Sequence, residues 1–262
     1  DDGQRRLIVL SGGNTEPDRW VHYPDANQLS DIHDPGQAWN ALTVGAMTLK
    51  DHISNENLAA RYSPIAESGQ LSPFSTTSVL WETKWPNKPD IVVEGGNVAV
   101  DKLDSSFSTE LDDLSVLTTG HKPAQSIFTT VTATSAAAAL ATQQAAKIWA
   151  SYPDAWPETI RGLMVHSAEW TEQLKSQLWD NSISDKQNRQ NLLRICGFGV
   201  PNAQRAQESA ANSLSLVLER EITPFMEKVG ANNGKTYKAK DMHFYELPWP
   251  KEALLDLPGE TL

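Results

Sequence analysis

Of two short stretches, the first carries a hydroxyl able to attack a carbonyl beside N–H groups able to hold the charge that develops on it, and the second is a Gly-Asn turn closing an apolar run. One is Thr132-Ala133-Thr134-Ser135, which opens the run SAAAALATQQAA; the other is Ser11-Gly12-Gly13-Asn14. A serine at the mouth of a helix sits in the partial positive charge of the helix end, beside backbone N–H groups that have no partner within the helix. Those N–H groups can hold an oxyanion. Each residue also has an ordinary reading. Ser135 alone is a helix N-cap, and a Gly-Asn pair alone is a turn.

The elements that would position these groups are legible. Leu7 to Leu10 is a short continuous apolar run closed by turn residues, the pattern of a buried parallel strand. Ala41 to Met47 and Pro89 to Val93 read the same way, the latter followed by a Gly95-Gly96-Asn97 turn. The polar connection from Thr15 to Trp39 is long for a loop in a packed domain, so it must be functional or well anchored. The alanine helix is expected over Ser135 to Ser151, ending before Pro153. Pro157 suits the first turn of a helix from Glu158 to Ser167, with Ile160, Leu163 and Met164 on one face.

Residues 53–79 read as extended loops and short strands, and 101–121 as an exposed excursion. Further on, SLSLVLE from Ser213 alternates as a strand does, and MHFYELPWP less cleanly. The expected organisation is an α/β body over 1–205 and the start of a β-rich appendage over 206–262.

Composition narrows the classes. The 262 residues include 33 Asp and Glu against 22 Lys and Arg, a balance that argues against non-specific nucleic-acid binding. No apolar run approaches the length needed to span a bilayer, so no membrane partner is expected. The single cysteine, Cys196, excludes an intrachain disulfide. Together with a start that is not a signal peptide, it favours the cytoplasm. There is no His-Glu-x-x-His helix or cysteine cluster for a metal. Asp112-Asp113 reads as a solvated loop, not an acid/base pair. Nine tryptophans raise carbohydrate binding as a third possibility, which Trp149, in the alanine helix, and Trp156 and Trp170, flanking the next helix, weaken.

Taken in order, the motifs resemble those of subtilisin-like serine peptidases. TATSAAAALATQQAA is similar to the family's nucleophile turn and small-residue central helix, and LIVLSGGNTEP to the strand and Gly-Asn turn of its oxyanion asparagine. YPDANQ, ALTVGAMT, SPFSTTS, KPDIVVEGGNV, PETIRGLMVHSAEW and GFGVPNAQRA follow in register, so the resemblance covers roughly residues 5–206. It departs at Ala133, where the family has Gly, and at Ala139, where it has Pro.

The resemblance implies a three-layer α/β fold, a parallel sheet with helices on both faces, truncated on its amino-terminal side. It implies that Ser135 is the nucleophile, that Asn14 and the Ser135 N–H form the oxyanion hole, and that Ser11, Gly12 and Gly13 form one wall of the pocket for the substrate side chain before the cut. It implies a polypeptide substrate, no catalytic cofactor, and structural calcium whose ligands cannot be placed from these residues.

A hydroxyl needs a base. The family's Asp and His precede the asparagine turn, and none of His22, His33, His52, His121, His166 and His243 lies in such a setting. The expectation is therefore a carboxyl-terminal part of a peptidase domain, inactive alone, whose partner is the missing amino-terminal part. The alternative is a pseudopeptidase or peptide-binding module that keeps the cleft.

Overall fold

The structure, a computed structural model, describes residues 5–208, 217–229, 235–240, 242, 244–246 and 255. Its first strands are Val9–Ser11 (β1), Leu42–Met47 (β2), Tyr62–Pro64 (β3) and Ile91–Glu94 (β4). Ala99–Asp101 (β5), Phe107–Ser108 (β6), Val116–Thr119 (β7) and Phe128–Val131 (β8) follow. The helices are Asp25–Gln28 (α1), Glu56–Arg61 (α2), Ala133–Ser151 (α3), Pro157–Ser167 (α4), Glu172–Leu178 (α5), Asp185–Cys196 (α6) and Ala203–Glu208 (α7).

β1, β2 and β4 form a parallel sheet in the order β1-β2-β4, with Val9 opposite Leu42 and Val44 opposite Ile91. All six residues of β2 are buried, as a strand covered on both faces requires. Side chains alternate between the faces. Leu42, Val44, Ala46, Ile91 and Val93 pack with α3 and α4, whereas Met47 and Val92 pack with Leu174 of α5 and Leu192 and Ile195 of α6. The result is the three-layer α/β arrangement, with helices on both faces.

α3 lies on this sheet through Ala137, Ala141, Ala145 and Ile148, spaced so that they share one stripe. Methyl side chains let the helix backbone come close to the strands, which explains the alanine run.

The long Thr15–Trp39 connection is anchored by buried polar contacts. Tyr23 donates its hydroxyl to the Leu71 carbonyl at 2.6 Å and accepts from Gln177 Nε2 at 2.6 Å. Burial pushes the Tyr23 phenol well above its ordinary range. Buried Asn27 turns its amide nitrogen toward the carbonyls of Ser72, Pro73 and Ser75, the last at 2.7 Å.

Two expectations need correction. Residues 56–61 form a helix, capped by Asn55, whose side chain accepts from the N–H groups of Asn57 and Leu58. The 101–121 segment is not uniformly exposed: Asp101, Leu111 and Leu114 are buried, the leucines with Ile53 and Ala99. Helices α5 and α6 occupy a stretch the sequence left unassigned.

Gly197 ends α6 at φ +59°, and a Cβ there would run into the carbonyl of Asp90. Backbone, not a flexible side chain, is in the way. Gly197→Ala is expected to destabilise by roughly 3 kcal/mol, from strain and overpacking together; the midpoint of urea unfolding checks it.

The chain divides into two compact units, Asp1–Ser213 and Leu214–Leu262. In the second, Phe225–Val229 (β9) and Lys235–Ala239 (β10) form an antiparallel hairpin with Tyr237 opposite Glu227. The start of the anticipated SLSLVLE strand, residues 213–216, lies outside the described residues, and 217–219 are not strand. The described part of MHFYELPWP is likewise not strand, and the rest of it lies outside. No helix among the described residues is long and apolar enough to cross a membrane.

Candidate active site

The carboxyl end of β1 and the amino end of α3 meet. β1 runs into Ser11, Gly12 and Gly13, and Gly12 N–H donates to the Val44 carbonyl of β2 at 2.8 Å, so the strand end is tied to the sheet. Asn14 follows at once. Its Oδ1 accepts from the backbone N–H of Thr134 at 3.1 Å and lies 2.8 Å from the Thr134 hydroxyl. That hydroxyl also lies 2.9 Å from the Gly13 carbonyl and, with one proton, serves one of these acceptors at a time. Because a backbone N–H can only donate, the bond from Thr134 fixes which end of the amide is oxygen. The Asn14 Nδ2 has no protein acceptor among the described residues.

Ser135 is the third residue of α3, not its N-cap, and its side chain is exposed. The cap position is Thr132, which makes no side-chain capping bond. The loops take over that task. Ala133 N–H donates to the Gly95 carbonyl at 2.7 Å, and Thr134 N–H to Asn14. Ser135 N–H comes next and has no acceptor among the described residues. At the third helical position it has no carbonyl four residues back in the helix. Two N–H groups are thus satisfied by the loops, and the third is left for something else.

Ala133 adopts φ +76°, in the left-handed region that an L-residue with a Cβ enters at a cost of about 1–2 kcal/mol. The family has glycine at this position, where such a φ carries no side-chain penalty. The strain is real, and the Ala133 methyl offsets part of it by packing against the cluster of Trp20, Phe74 and Val98. The tight entry into α3 therefore survives without glycine.

The structure ties Gly13 and Asn14, at the end of the Ser11-Gly12-Gly13-Asn14 segment, to Thr134, the chain neighbour of Ser135, although 121 positions separate Asn14 from Ser135. Ala139 is exposed one turn further along α3. Cys196 is buried, which raises its thiol above the ordinary range and leaves no reactive thiolate.

The profile described as the subtilase family matches residues 1–199. This chain belongs to the subtilase family. The match takes in both ends of the site, and the fold is that of a subtilisin-like serine peptidase domain.

A curated relative of this subtilase is the uncharacterized protein y4bN of Sinorhizobium fredii (strain NBRC 101917 / NGR234), 27% identical over 230 residues. The match covers 82% of the present chain and 51% of the relative, so the chain spans about half the length of that protein. Among solved structures, the epidermin leader peptide processing serine protease EpiP of Staphylococcus aureus is 16% identical, with a TM-score of 0.44 over 80% of this chain and 42% of that one. MycP1 of Mycobacterium smegmatis is 19% identical, with a TM-score of 0.40 over 84% of this chain and 45% of that one.

The histidines of the subtilase are distributed without regard to Ser135. His22, His33, His52, His121 and His166 are all exposed, and among the described residues none is hydrogen-bonded to it. His243 lies outside the described residues. One histidine was missed as a neighbour of the site: His33 packs its ring against Gly13. Twenty positions from Gly13 and inside an irregular loop, it carries no spacing signal that could have placed it there. Among the described residues no group of three or more His, Cys, Asp or Glu is placed to hold a metal ion.

Proposed function

We propose that this domain is the carboxyl-terminal part of a serine endopeptidase that hydrolyses polypeptides through an acyl-enzyme on Ser135. A base outside these residues takes the Ser135 proton as Oγ bonds to the scissile carbon. The carbonyl oxygen becomes an oxyanion held by Ser135 N–H and Asn14 Nδ2. The carbon–nitrogen bond then breaks, the amine leaves with the proton, and water repeats the sequence to release the acid.

The observation that carries this reading is the fixed Asn14 amide. Its oxygen is engaged by Thr134, while its Nδ2 and the neighbouring Ser135 N–H are both unengaged. Two donors free of protein partners beside one exposed hydroxyl are what acyl transfer needs.

The edge of the sheet supports a partner segment that brings the base and its orienting acid. β1 pairs only with β2 among the described residues and is half-buried, while β2 is buried throughout. An open parallel edge beside the site can accept a further strand.

A fluorophosphonate probe tests the proposal. In the complete protein the label is expected on Ser135, with labelling slowed by Asn14→Ala. The present chain alone is expected to label poorly, for want of a base. A label found elsewhere, or rapid labelling of the isolated chain, would overturn the assignment. The second reading, a peptide-binding module without hydrolysis, is favoured only by the strained Ala133. It would show as peptide binding with no labelling of the complete protein.

A further inference from the structure

We propose that His33 limits the size of the substrate side chain accepted next to the scissile bond. The inference rests on the reading of Asn14 and Ser135 as the pair that holds the carbonyl.

Gly13 has φ +101° and is buried, and the space on its side-chain face is already taken. A Cβ built there would lie 2.7 Å from His33 Nδ1 and 2.8 Å from His33 Cβ. The imidazole therefore lies on the Cα of the residue just before Asn14. With consecutive Cα atoms about 3.8 Å apart, the ring is within roughly 8 Å of the Asn14 Cα.

The loop bearing this histidine is held in place. His33 N–H donates to the Gly12 carbonyl at 2.9 Å. Ile32 is buried, with its Cδ1 3.1 Å from where a Gly12 Cβ would be. Thr76 donates its hydroxyl to the same Gly12 carbonyl at 2.8 Å. The backbone at position 33 is thus fixed to the strand end, while the ring remains exposed.

A carbonyl seated between Asn14 Nδ2 and Ser135 N–H brings its own residue against Ser11–Gly13, the segment leading into Asn14. The Gly12 side-chain face is filled by Ile32 and Thr76, so Gly13 is the glycine that would leave that segment open to a large side chain. The His33 ring fills part of the opening, so small side chains fit and large apolar ones meet an imidazole edge. The substrate class that follows is polypeptide with a small residue before the cut.

The test uses the complete protein and a peptide series identical except for Ala, Leu or Phe before the cut. His33→Ala is expected to raise kcat/KM for the Phe peptide relative to the Ala peptide by about tenfold or more, the scale on which pocket size discriminates. His33→Phe keeps the bulk and should keep the original ranking. Fluorophosphonate labelling of Ser135 should be unchanged in both variants, which shows that the machinery is intact. If labelling is normal and His33→Ala shifts all three peptides equally, or His33→Phe lifts the limit, the inference is overturned and the functional reading stands. If the unmodified protein does not label at Ser135, both fall.

Discussion

Ser135→Ala in the complete protein will abolish peptide hydrolysis, with kcat falling on the order of a millionfold, the scale known for the nucleophile of subtilisin. On the proposed mechanism the variant removes the atom that bonds to the scissile carbon, and the neighbouring hydroxyl among the described residues is not placed to substitute. Thr134 holds the neighbouring hydroxyl, but that group is turned to Gly13 and Asn14 and is buried. Asn14→Ala removes one of two donors and leaves Ser135 N–H in place. Its expected loss is therefore smaller, on the order of a hundredfold to a thousandfold in kcat, again on the subtilisin scale. Steady-state kinetics on a single peptide compare the two directly. If both groups act on the transition state as proposed, KM should move little in either variant. Turnover that survives Ser135→Ala would end the assignment of this serine.

The contrast between the two variants reflects what was readable from sequence. Strand runs such as Leu42–Met47 were visible because burial on both faces leaves a continuous apolar word. The alanine helix was visible because close approach to a sheet demands small residues. Helix α2 was not, since none of its residues is buried and its start rests on Asn55, a residue equally at home in a turn. Two features of the site had no local signal at all. The capping of α3 by Gly95 and Asn14 is made by loops distant in sequence, so the Ser135 N–H could not be known to be free. The ring of His33 over Gly13 depends on how the Thr15–Trp39 connection folds back, and that is fixed by Tyr23, Asn27 and Ile32 acting through space. The KPDIVV motif was read for its strand; the buried charges at its head became visible only in three dimensions.

Those charges give the second large effect. Lys88 is almost wholly buried, 1% exposed, and its Nζ donates to Asp90 Oδ2 at 2.6 Å and to the Ala41 carbonyl at 3.0 Å. Asp90 Oδ2 also accepts from Thr43 N–H at 2.7 Å, and Asp90 Oδ1 lies 3.2 Å from Arg161, whose other nitrogen reaches the Trp39 carbonyl. Asp90→Ala leaves a buried ammonium with no counter-charge and strands the Thr43 N–H. Breaking a buried pair in this way costs about 3–5 kcal/mol, and urea unfolding at pH 7 measures it.

The pH dependence shows which group is responsible. Burial pulls the Lys88 ammonium below the ordinary lysine value of 10.5, and Asp90 opposes that pull. A lysine whose folded pKa is depressed binds fewer protons folded than unfolded. Its penalty is full below the folded pKa and fades as pH rises toward 10.5, so stability increases with pH across that window. Without Asp90 the depression deepens and the window widens downward. The stability gap between Asp90→Ala and the unmodified protein should therefore narrow as the medium is made alkaline. Lys88→Met in the Asp90→Ala background should remove that narrowing, because no proton remains to be lost. A gap that stays constant with pH would assign the cost to the stranded Thr43 N–H and Arg161 instead of to the buried lysine.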